Sequence, residues 1–367
     1  MVNISVNILT QGRLNCLERL FAEIAVERQS IIENKSEVNI IDDSRDKDRE
    51  IVEEWCRIYH FNYHYHVGSI SNKRNKAIEV SAYEVILFID SDCYLTKGIL
   101  NQHLQLYKEE CTDAVLGCVE FTGEKPFFWK VIEQAEFTVP FSFADFIVYA
   151  IWGPCANISF RKDALITVNG FKEKYPFDFS GEDVDIGIRL NKSGCKIRCN
   201  PKAIAYHDTI TWLNPVLFIK KIFRWGKTDY YIMRDHEDLL YPEFIRFNLV
   251  VIVLIFLSLV CREAIVLVPL FIVLTPIIHW MFRLTSRNAK RVNIFICIVA
   301  FYLKQIFDIG FVFESIMHLK LKFLTKKILY GKRQLEFELS SRIHMSLSIL
   351  VSLLFAILMF LLWKNWS

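Results

Sequence analysis

The chain has 367 residues, of which 53% are hydrophobic and 23% are charged, with only 13 Gly and 9 Pro. This composition excludes disordered, collagen-like and low-complexity proteins, and the length predicts about two domains. The net charge of +3 is divided unevenly: residues 1–248 hold 30 Lys and Arg against 36 Asp and Glu, net −6, whereas residues 249–367 hold 14 against 5, net +9. The acidic front half argues against binding to nucleic acid. The basic tail is interleaved with long apolar runs, so its expected partners are membrane lipids.

Short β-branched runs alternate with helical stretches between residues 3 and 201, which predicts an α/β sheet with crossover helices. The clearest predicted strands are Ile4–Leu9, Val38–Ile41 and Val85–Ile89. Polar residues follow two of these strands directly, as Asp42-Asp43-Ser44 and Asp90-Ser91-Asp92. Because open α/β sheets bind ligands at the carboxyl ends of their strands, we expect a binding site there.

Asp90 and Asp92 are two positions apart, so at a strand end both side chains can project the same way and offer hard oxygen ligands to a divalent cation. The structural alternative is a turn whose aspartates cap a helix near Thr96. Asp42 and Asp43 repeat the arrangement, and their alternative role is to cap a helix over residues 48–59.

A third acidic cluster is Gly181-Glu182-Asp183-Val184-Asp185. The helix macrodipole favours acidic residues in a first helical turn, so helix-start chemistry is one explanation of Glu182 and Asp183. A functional role requires these carboxylates to face the first two clusters, which spacing in the sequence does not determine.

These motifs, taken in order, resemble the family 2 glycosyltransferases of the GT-A fold over most of residues 3–235. The matching segments are IDDSRD, SNKRNKAI, FIDSDCY, WGPCANISFRKDALITVNGF and GEDVDIGIRL. The resemblance implies an α/β fold with a GT-A type nucleotide-sugar-binding mixed sheet flanked by helices. It also implies an inverting reaction that transfers a sugar from a nucleotide diphosphate donor to an acceptor hydroxyl.

The resemblance assigns roles to individual residues. Those implied to bind the nucleotide-sugar are Asp42, Asp43, Arg74, Asn75 and Asp90. Those implied to hold Mg²⁺ or Mn²⁺ are Asp92, Asp90 and His207, although a lone histidine is also often structural. Such a cation would neutralise charge that develops on the leaving diphosphate. Asp183 matches the general base, with Glu182 beside it.

The acceptor side is less specific. Trp152 and Asn157 lie in the predicted acceptor segment, where an aromatic side chain can stack on a sugar; their alternative role is core packing. Arg224 and Trp225 resemble part of the Gln-x-x-Arg-Trp motif of processive synthases, but Lys221 stands in the Gln position, which weakens the case for processive synthesis. Their alternative role is an interfacial anchor before the membrane region.

The tail contains three predicted spans. Residues 345–363 carry no charge over 19 positions and form a helix long enough to cross a bilayer. Residues 247–261 and 264–282 predict two short spanning helices joined by a turn, and the basic loop that follows predicts a cytoplasmic position by the positive-inside rule.

Residues 292–316 are apolar but contain Lys304, Asp308 and Glu314, which are costly at bilayer depth, so we predict an interfacial or re-entrant helix. The resulting organisation is a cytoplasmic GT-A catalytic domain, residues 1–240, followed by a multi-pass C-terminal transmembrane helical region, residues 241–367, in the cell (inner) membrane.

The leading interpretation is a membrane-anchored inverting glycosyltransferase that acts on a lipid-linked or cell-surface glycan acceptor. One alternative is a synthase that loads a sugar onto polyprenyl phosphate. Another is a non-catalytic membrane subunit that keeps the sheet only as a partner-binding scaffold.

Overall fold

A computed structural model of the chain describes most of its length. The described residues are 2–31, 34–109, 112–173, 180–243, 245–284, 293–328 and 332–366. For residues 332–342 and 365–366 only the backbone is described. The basic loop predicted after residue 283 falls mostly at 285–292, outside the described residues. The chain forms two compact units, which we call the sheet unit (Met1–Glu124 and Thr138–Thr211) and the helical unit (Lys125–Phe137 and Trp212–Ser367). The predicted limit of the catalytic domain at residue 240 stays a prediction.

The described residues of the sheet unit contain one nine-stranded mixed sheet. Its strands are β1 (Ile4–Thr10), β2 (Ser36–Asp42), β3 (Asn62–Tyr65), β4 (Val85–Asp90), β5 (Cys93–Leu95), β6 (Ala114–Thr122), β7 (Tyr149–Ala150), β8 (Asn157–Arg161) and β9 (Ile197–Asp208). The order is β3-β2-β1-β4-β8-β6-β9-β5, and β7 pairs with β9. Strands β3, β2, β1 and β4 run parallel, β8 is antiparallel to β4 and β6, and β6 is parallel to β9. The three predicted strands are confirmed, each within two residues at either end.

The helices follow the crossover pattern that parallel strands require. They are α1 (Leu14–Gln29), α2 (Asp46–Tyr59), α3 (Ile70–Val80), α4 (Ile99–Leu106), α5 (Phe127–Gln134), α6 (Phe143–Phe146), α7 (Lys162–Thr167), α8 (Glu182–Lys192), α9 (Pro215–Asp235), α10 (Phe247–Val260), α11 (Leu267–Leu284), α12 (Ile294–Met317) and α13 (Lys332–Trp366). Of these, α5 and α9–α13 belong to the helical unit, together with a short antiparallel pair, β10 (Leu240–Pro242) and β11 (Lys326–Ile328).

Strand β4 explains why the sheet has a core on both faces. Val85, Leu87 and Ile89 point into one buried cluster, whereas Ile86 and Phe88 point into another, and all five are at most 2% exposed. Alternate side chains of a strand face opposite sides, so a continuous apolar run is what a central strand covered on both faces needs. The acidic residues that follow β4 are therefore carried by a rigid, buried element.

Within the helical unit, α9 and α12 pack with their backbones in contact. A methyl group at Gly226 would lie 1.8 Å from the carbonyl oxygen of Phe307, and one at Gly310 would lie 2.2 Å from that of Phe223. Glycine at both positions lets the two helices approach this closely, because any side chain would overlap the facing backbone.

The charges of α12 all have partners within the helical unit. Lys304 Nζ lies 2.5 Å from Glu136 Oε2, Asp308 pairs with Arg246, and Lys227 Nζ lies 2.6 Å from Glu314 Oε1. Paired charges that face other protein segments are far less costly near a bilayer than isolated ones. The charges that argued for an interfacial helix are thus neutralised inside the protein, and a spanning position for α12 stays open.

Three helical segments within the described residues are long and apolar enough to cross a membrane: residues 262–284, 294–317 and 343–364. The first and third correspond to two predicted spans. The second covers residues 294–316 of the helix predicted to be interfacial at 292–316. Helix α10, also predicted to span, has only 14 residues, or about 21 Å at 1.5 Å per residue, which is shorter than the hydrocarbon core.

Candidate active site

The acidic clusters meet at one edge of the sheet because β1, β2 and β4 are parallel and end together. Thr10, the last residue of β1, pairs in register with Asp42 of β2, and Leu9 pairs with Asp90 of β4. The carboxyl ends of neighbouring parallel strands thus carry the first two clusters side by side, as the sequence predicted.

Asp42 and Asp43 have different surroundings. Asp42 is fully buried; its Oδ1 accepts hydrogen bonds from the Ser44 backbone N–H (2.9 Å) and hydroxyl (2.5 Å), and its Oδ2 accepts one from the Tyr63 hydroxyl (3.0 Å). Asp43 Oδ1 lies 3.0 Å from Lys73 Nζ. Neither aspartate caps α2, which begins after Arg45 without a side-chain cap. Asp42 therefore shapes the turn after β2, and Asp43 holds a buried ion pair.

Arg74 joins the third acidic cluster to the second. Its guanidinium, on α3, forms a buried ion pair with Glu182 at the start of α8, and the charges of Asp90 and Asp183 also act on it. The sequence could not establish that these carboxylates face one another; the structure brings Glu182 and Asp183 to the edge that carries Asp90.

Asp183 is poised to exchange a proton near neutral pH. Burial, followed by the neighbouring charge of Glu182, raises its pKa from the usual value for aspartate to about 7, against the opposing effects of Arg74 and of a hydrogen bond from the Val184 N–H to Oδ1 (2.8 Å). Carboxylic acids shifted in this way are typical of catalytic acid-base groups.

Asp92 lies between two nitrogen-bearing side chains. Its Oδ2 is 2.5 Å from an Arg13 nitrogen, its Oδ1 is 3.3 Å from His207 Nε2, and only 5% of its side chain is exposed. His207 Nδ1 lies 2.9 Å from the carbonyl oxygen of Asp208. Since a carbonyl only accepts, Nδ1 carries a proton, and in the neutral ring Nε2 then presents a lone pair toward the carboxylate.

This arrangement fits a divalent cation. Asp92 Oδ1 and His207 Nε2 face each other at 3.3 Å, and a carboxylate oxygen and an imidazole nitrogen are both common ligands of divalent cations. Burial and then the charge of Asp92 raise the pKa of Asp90, so positive charge nearby would relieve the repulsion between the two carboxylates. Within the described residues, no three His, Cys, Asp or Glu side chains form a ready metal cage, so further ligands would come from the substrate or water.

Asn75 and Trp152 make contacts within the sheet unit. Asn75 Nδ2 donates to the Phe171 carbonyl (2.8 Å) and to Glu173 Oε1 (2.7 Å), while its Oδ1 accepts from the Phe171 N–H (2.7 Å). Trp152 packs edge-on to Phe143 with ring centres 5.6 Å apart. The predicted nucleotide contact of Asn75 and acceptor contact of Trp152 stay predictions.

Asn157 lies in the interior of the sheet. Its side chain is 0% exposed, its Nδ2 donates to the carbonyl oxygens of Cys118 and Ala203 (both 2.8 Å), and its Oδ1 is 2.9 Å from His103 Nε2. These bonds join β8 to β6 and β9 where the pairing of β6 with β9 shifts register after Gly117. The predicted acceptor role of Asn157 stays a prediction.

Arg224 and Trp225 lie on α9 of the helical unit. Arg224 is exposed, and Trp225 packs against Trp212 with ring centres 5.9 Å apart. Lys221 lies one turn before Trp225, with Nζ 4.3 Å from the centre of the Trp212 ring. The two roles predicted for this motif, acceptor binding and interfacial anchoring, stay predictions.

Sequence reasoning missed two cations of the site, Arg13 and Lys73. The available signals were their positions: Arg13 follows β1 by three residues, and Lys73 immediately precedes Arg74. Neither position carries chemical information until the partners Asp92 and Asp43 are brought near by the fold.

A comparison with protein families identifies the part of the chain that carries the first two aspartate clusters. Residues 5–163 match the family described as "Glycosyl transferase family 2". The chain contains a family 2 glycosyltransferase domain. This domain spans β1 to β8 and therefore includes the two aspartate clusters after β2 and β4, whereas Glu182, Asp183 and His207 lie beyond the matched residues.

Three solved structures that are similar to the chain share little sequence identity with it. They are the mannosyltransferase PcManGT from Pyrobaculum calidifontis in complex with GDP-Man and Mn²⁺ (14% identity, TM-score 0.48, covering 64% of this chain and 64% of that one), S. aureus TarS (18%, 0.44, 61% and 39%) and S. aureus TarS 1–349 (19%, 0.40, 61% and 64%). The chain thus spans less than two thirds of the length of each. No curated protein matches the sequence.

The predictions of a family 2 glycosyltransferase domain and of a GT-A type mixed sheet flanked by helices are confirmed by the family match and the observed strand order. The prediction of apolar C-terminal helices is likewise confirmed.

Proposed function

We propose that the protein is an inverting glycosyltransferase that moves a sugar from a nucleotide diphosphate donor to a hydroxyl of a lipid-linked or cell-surface glycan, at the cytoplasmic face of the membrane. The observation that carries this proposal is Asp183, a partly buried carboxyl group whose pKa burial raises to about 7. It lies at the edge of the sheet that also carries the aspartates after β2 and β4, which belong to the matched residues 5–163.

Asp183 acts as the general base. The acceptor oxygen attacks the anomeric carbon as the bond to the diphosphate oxygen breaks on the opposite face, and the hydroxyl proton passes to the Asp183 carboxylate. Because Oδ1 is engaged by the Val184 N–H, we assign proton transfer to Oδ2. One displacement of this kind needs a single base and inverts the anomeric centre. Glu182, held by Arg74, keeps a second negative charge beside the base and so raises its basicity.

Asp92, Asp90 and His207 would hold Mg²⁺ or Mn²⁺, which when bound stabilises the negative charge on the departing diphosphate. Asp92 presents one oxygen toward His207, and the chain fixes the orientation of that ring through the bond from Nδ1 to the Asp208 carbonyl. A backbone bond of this kind is the usual means by which proteins orient a ligating imidazole.

Asp42 and Asp43 form the nucleotide side of the proposed site. Both oxygens of the Asp42 carboxylate accept hydrogen bonds from Ser44 or Tyr63, so this residue holds the turn in place. Asp43 is therefore the better candidate to contact the base of the nucleotide. Asn75 holds the segment at 171–173 in place through three hydrogen bonds. Arg74 supplies positive charge between Asp90 on the donor side and the general base Asp183.

The charge of Arg74 leads to a testable change in pH dependence. Arg74 lowers the pKa of Asp183, so Arg74→Gln should raise that pKa above about 7 and move the acidic limb of the kcat profile to higher pH, by roughly one unit. The matched control is Lys76→Gln on the same helix, whose partner Glu79 is also on α3 and whose charge is not among the main charges that act on Asp183. An unshifted limb in a folded Arg74→Gln protein would contradict the assignment of Asp183 as the base.

The composition of the helical unit favours an acceptor that is linked to a lipid. It contains the three segments that are able to cross a membrane, and α9 combines exposed apolar residues Val216 and Leu217 with Arg224. Such a combination suits the boundary between headgroups and acyl chains. An enzyme held there would meet acceptors that are themselves carried by lipid.

The proposal is tested by incubating membranes that contain the protein with a panel of nucleotide-sugars and identifying products by mass spectrometry. We expect one donor to yield a glycosylated lipid or glycan, with inverted anomeric configuration and only in the presence of a divalent cation. Transfer to added polyprenyl phosphate would select the synthase alternative. Donor binding that does not respond to Mn²⁺ in calorimetry, together with no product from any donor, would identify a scaffold and refute the proposal.

A further inference from the structure

The side chain of Arg13 links the nucleotide side of the site to the metal side. Arg13 follows β1 in a left-handed backbone conformation (φ 58°), and so does Gly12 (φ 68°). The loop is tied to the turn after β2, because the Gly12 N–H donates to Ser44 Oγ (2.6 Å), and to the end of β1, because Thr10 Oγ1 donates to the Gly12 carbonyl (3.0 Å). Arg13 is thereby held between the Asp42–Ser44 turn and Asp92.

The guanidinium of Arg13 contacts the carboxylate of Asp92, which is a metal ligand in the proposed function. It contacts Asp92 Oδ2 at 2.5 Å, although the Arg13 side chain is 52% exposed and that of Asp92 only 5%. His207 faces the other oxygen of the same carboxylate. Arg13 thus supplies the positive charge that a buried carboxylate requires, from a side chain that can leave at little cost because half of it is already in water.

Two cations compete for one carboxylate in this geometry. A divalent cation at Asp92 would repel a guanidinium 2.5 Å from the same group and would make its charge redundant. A displaced guanidinium has five N–H donors in a planar fork, which matches the oxygens of a phosphate. From a loop tied to the Asp42–Ser44 turn, such a side chain can reach a group that bridges that turn and Asp92, which is the position of the diphosphate in the proposed function.

We propose that Arg13 is an exchangeable counter-ion: it neutralises Asp92 before the cation arrives and binds the donor's diphosphate afterwards. This inference rests on the proposed function for the identity of the metal site and the donor. It assigns to Arg13 two opposite effects, weakening the binding of metal alone and strengthening the binding of nucleotide in the presence of metal.

The test uses the full chain in detergent micelles and two titrations that need no turnover. Mn²⁺ alone is titrated and followed by the loss of the paramagnetic resonance signal of the free ion; GDP and UDP are then titrated by calorimetry at saturating Mn²⁺. Arg13→Gln should bind Mn²⁺ alone about threefold more tightly, the size expected for loss of a half-exposed ion pair, and should bind the preferred nucleotide about tenfold more weakly. Arg13→Lys keeps the competing charge but not the fork, so it should retain wild-type Mn²⁺ affinity and still bind nucleotide more weakly.

Arg19→Gln is the matched control. Arg19 is on α1, pairs with Glu23 at 2.8 Å, and has a similarly exposed side chain, so its loss removes the same charge without touching Asp92. Both of its titrations should match the wild type.

Either of two results overturns the inference while leaving the proposed function intact: Mn²⁺ affinity in Arg13→Gln that is unchanged or reduced, or nucleotide affinity that is unchanged. In both cases Arg13 is only a structural partner of Asp92. If the wild type itself binds neither Mn²⁺ nor nucleotide, the proposed function falls as well, and the two failures are thereby distinguished.

Discussion

Asp183→Asn should reduce sugar transfer by on the order of 10²–10⁴-fold, the usual contribution of a positioned general base. The amide has nearly the same shape and can still accept the hydrogen bond from the Val184 N–H, but it cannot take a proton from the acceptor. Initial rates with the preferred donor, measured in membranes at matched protein levels, are the readout. The matched control is Asp163→Asn, which makes the same change at an exposed first-turn position of α7.

The pH profile separates this role from a structural one. Only the ionised carboxylate is a base, and its pKa is about 7, so the wild-type rate should rise with pH and level off above about 7. The residual rate of Asp183→Asn should lack that limb. Full activity of Asp183→Asn, or a wild-type rate that is flat between pH 5 and 8, would contradict the mechanism.

The same variant should be more stable than the wild type at neutral and higher pH. The folded-state pKa lies above the unfolded value of about 4, so the folded protein holds this proton more tightly and loses stability as pH rises from about 4 to about 7, with no further change above that. Asp183→Asn removes the effect. The apparent melting temperature of Asp183→Asn should therefore equal that of the wild type near pH 4 and exceed it most above pH 7.

Asp92→Asn should abolish the metal dependence of donor binding, with affinity for nucleotide in Mn²⁺ falling by at least about 100-fold. Loss of residues that merely support a metal ligand costs about 10–100-fold, and a ligand itself should cost more. The amide keeps an oxygen but not the charge that faces both Arg13 and His207.

Calorimetric titration of GDP and UDP with and without Mn²⁺ measures this effect in the full chain. Asp163→Asn should show the wild-type difference between the two conditions. An Asp92→Asn protein whose nucleotide binding still responds to Mn²⁺ as the wild type does would move the metal site elsewhere.

The positions of the site's carboxylates were predictable because they depend on local pattern. An apolar run of β-branched residues predicts a buried strand, and the residues that end it must lie at the carboxyl edge of a parallel sheet. The positions of Asp42, Asp90 and Asp92 could therefore be predicted from the order of strands and helices alone. The start of α8 was equally visible, since Glu182 and Asp183 follow Gly181 and precede a helical pattern.

The hydrogen bonds of Asn157 could not be predicted from the sequence. Its segment matched the acceptor side of the family pattern, yet the side chain bridges the carbonyl oxygens of Cys118 and Ala203. That use arises from an irregularity in the pairing of β6 with β9, and no local pattern around Asn157 encodes it. The sequence around such an asparagine does not show whether its side chain contacts a ligand or donates to carbonyl oxygens that are left unpaired where the strand pairing shifts register.

The charges of α12 show a similar limit. In the sequence, Lys304, Asp308 and Glu314 count against a spanning helix because each is costly in lipid. Their partners Glu136, Arg246 and Lys227 lie 168, 62 and 87 residues away in the chain. Hydropathy measures each residue alone, so it could not anticipate that the costs are offset in pairs.

The sequence by itself determined the alternation of strands and helices, the acidic front and basic apolar tail, and the strand ends that carry Asp42, Asp43, Asp90 and Asp92. These follow from hydrophobic periods of 2 and 3.6 residues and from composition, which act over short stretches of chain. Only the tertiary structure decided which charges meet. Arg74 and Glu182 are 108 residues apart and Arg13 and Asp92 are 79 apart, yet each pair is in contact. The pKa of Asp183 depends on such contacts and on burial, because both are set by segments that come together only when the sheet has formed.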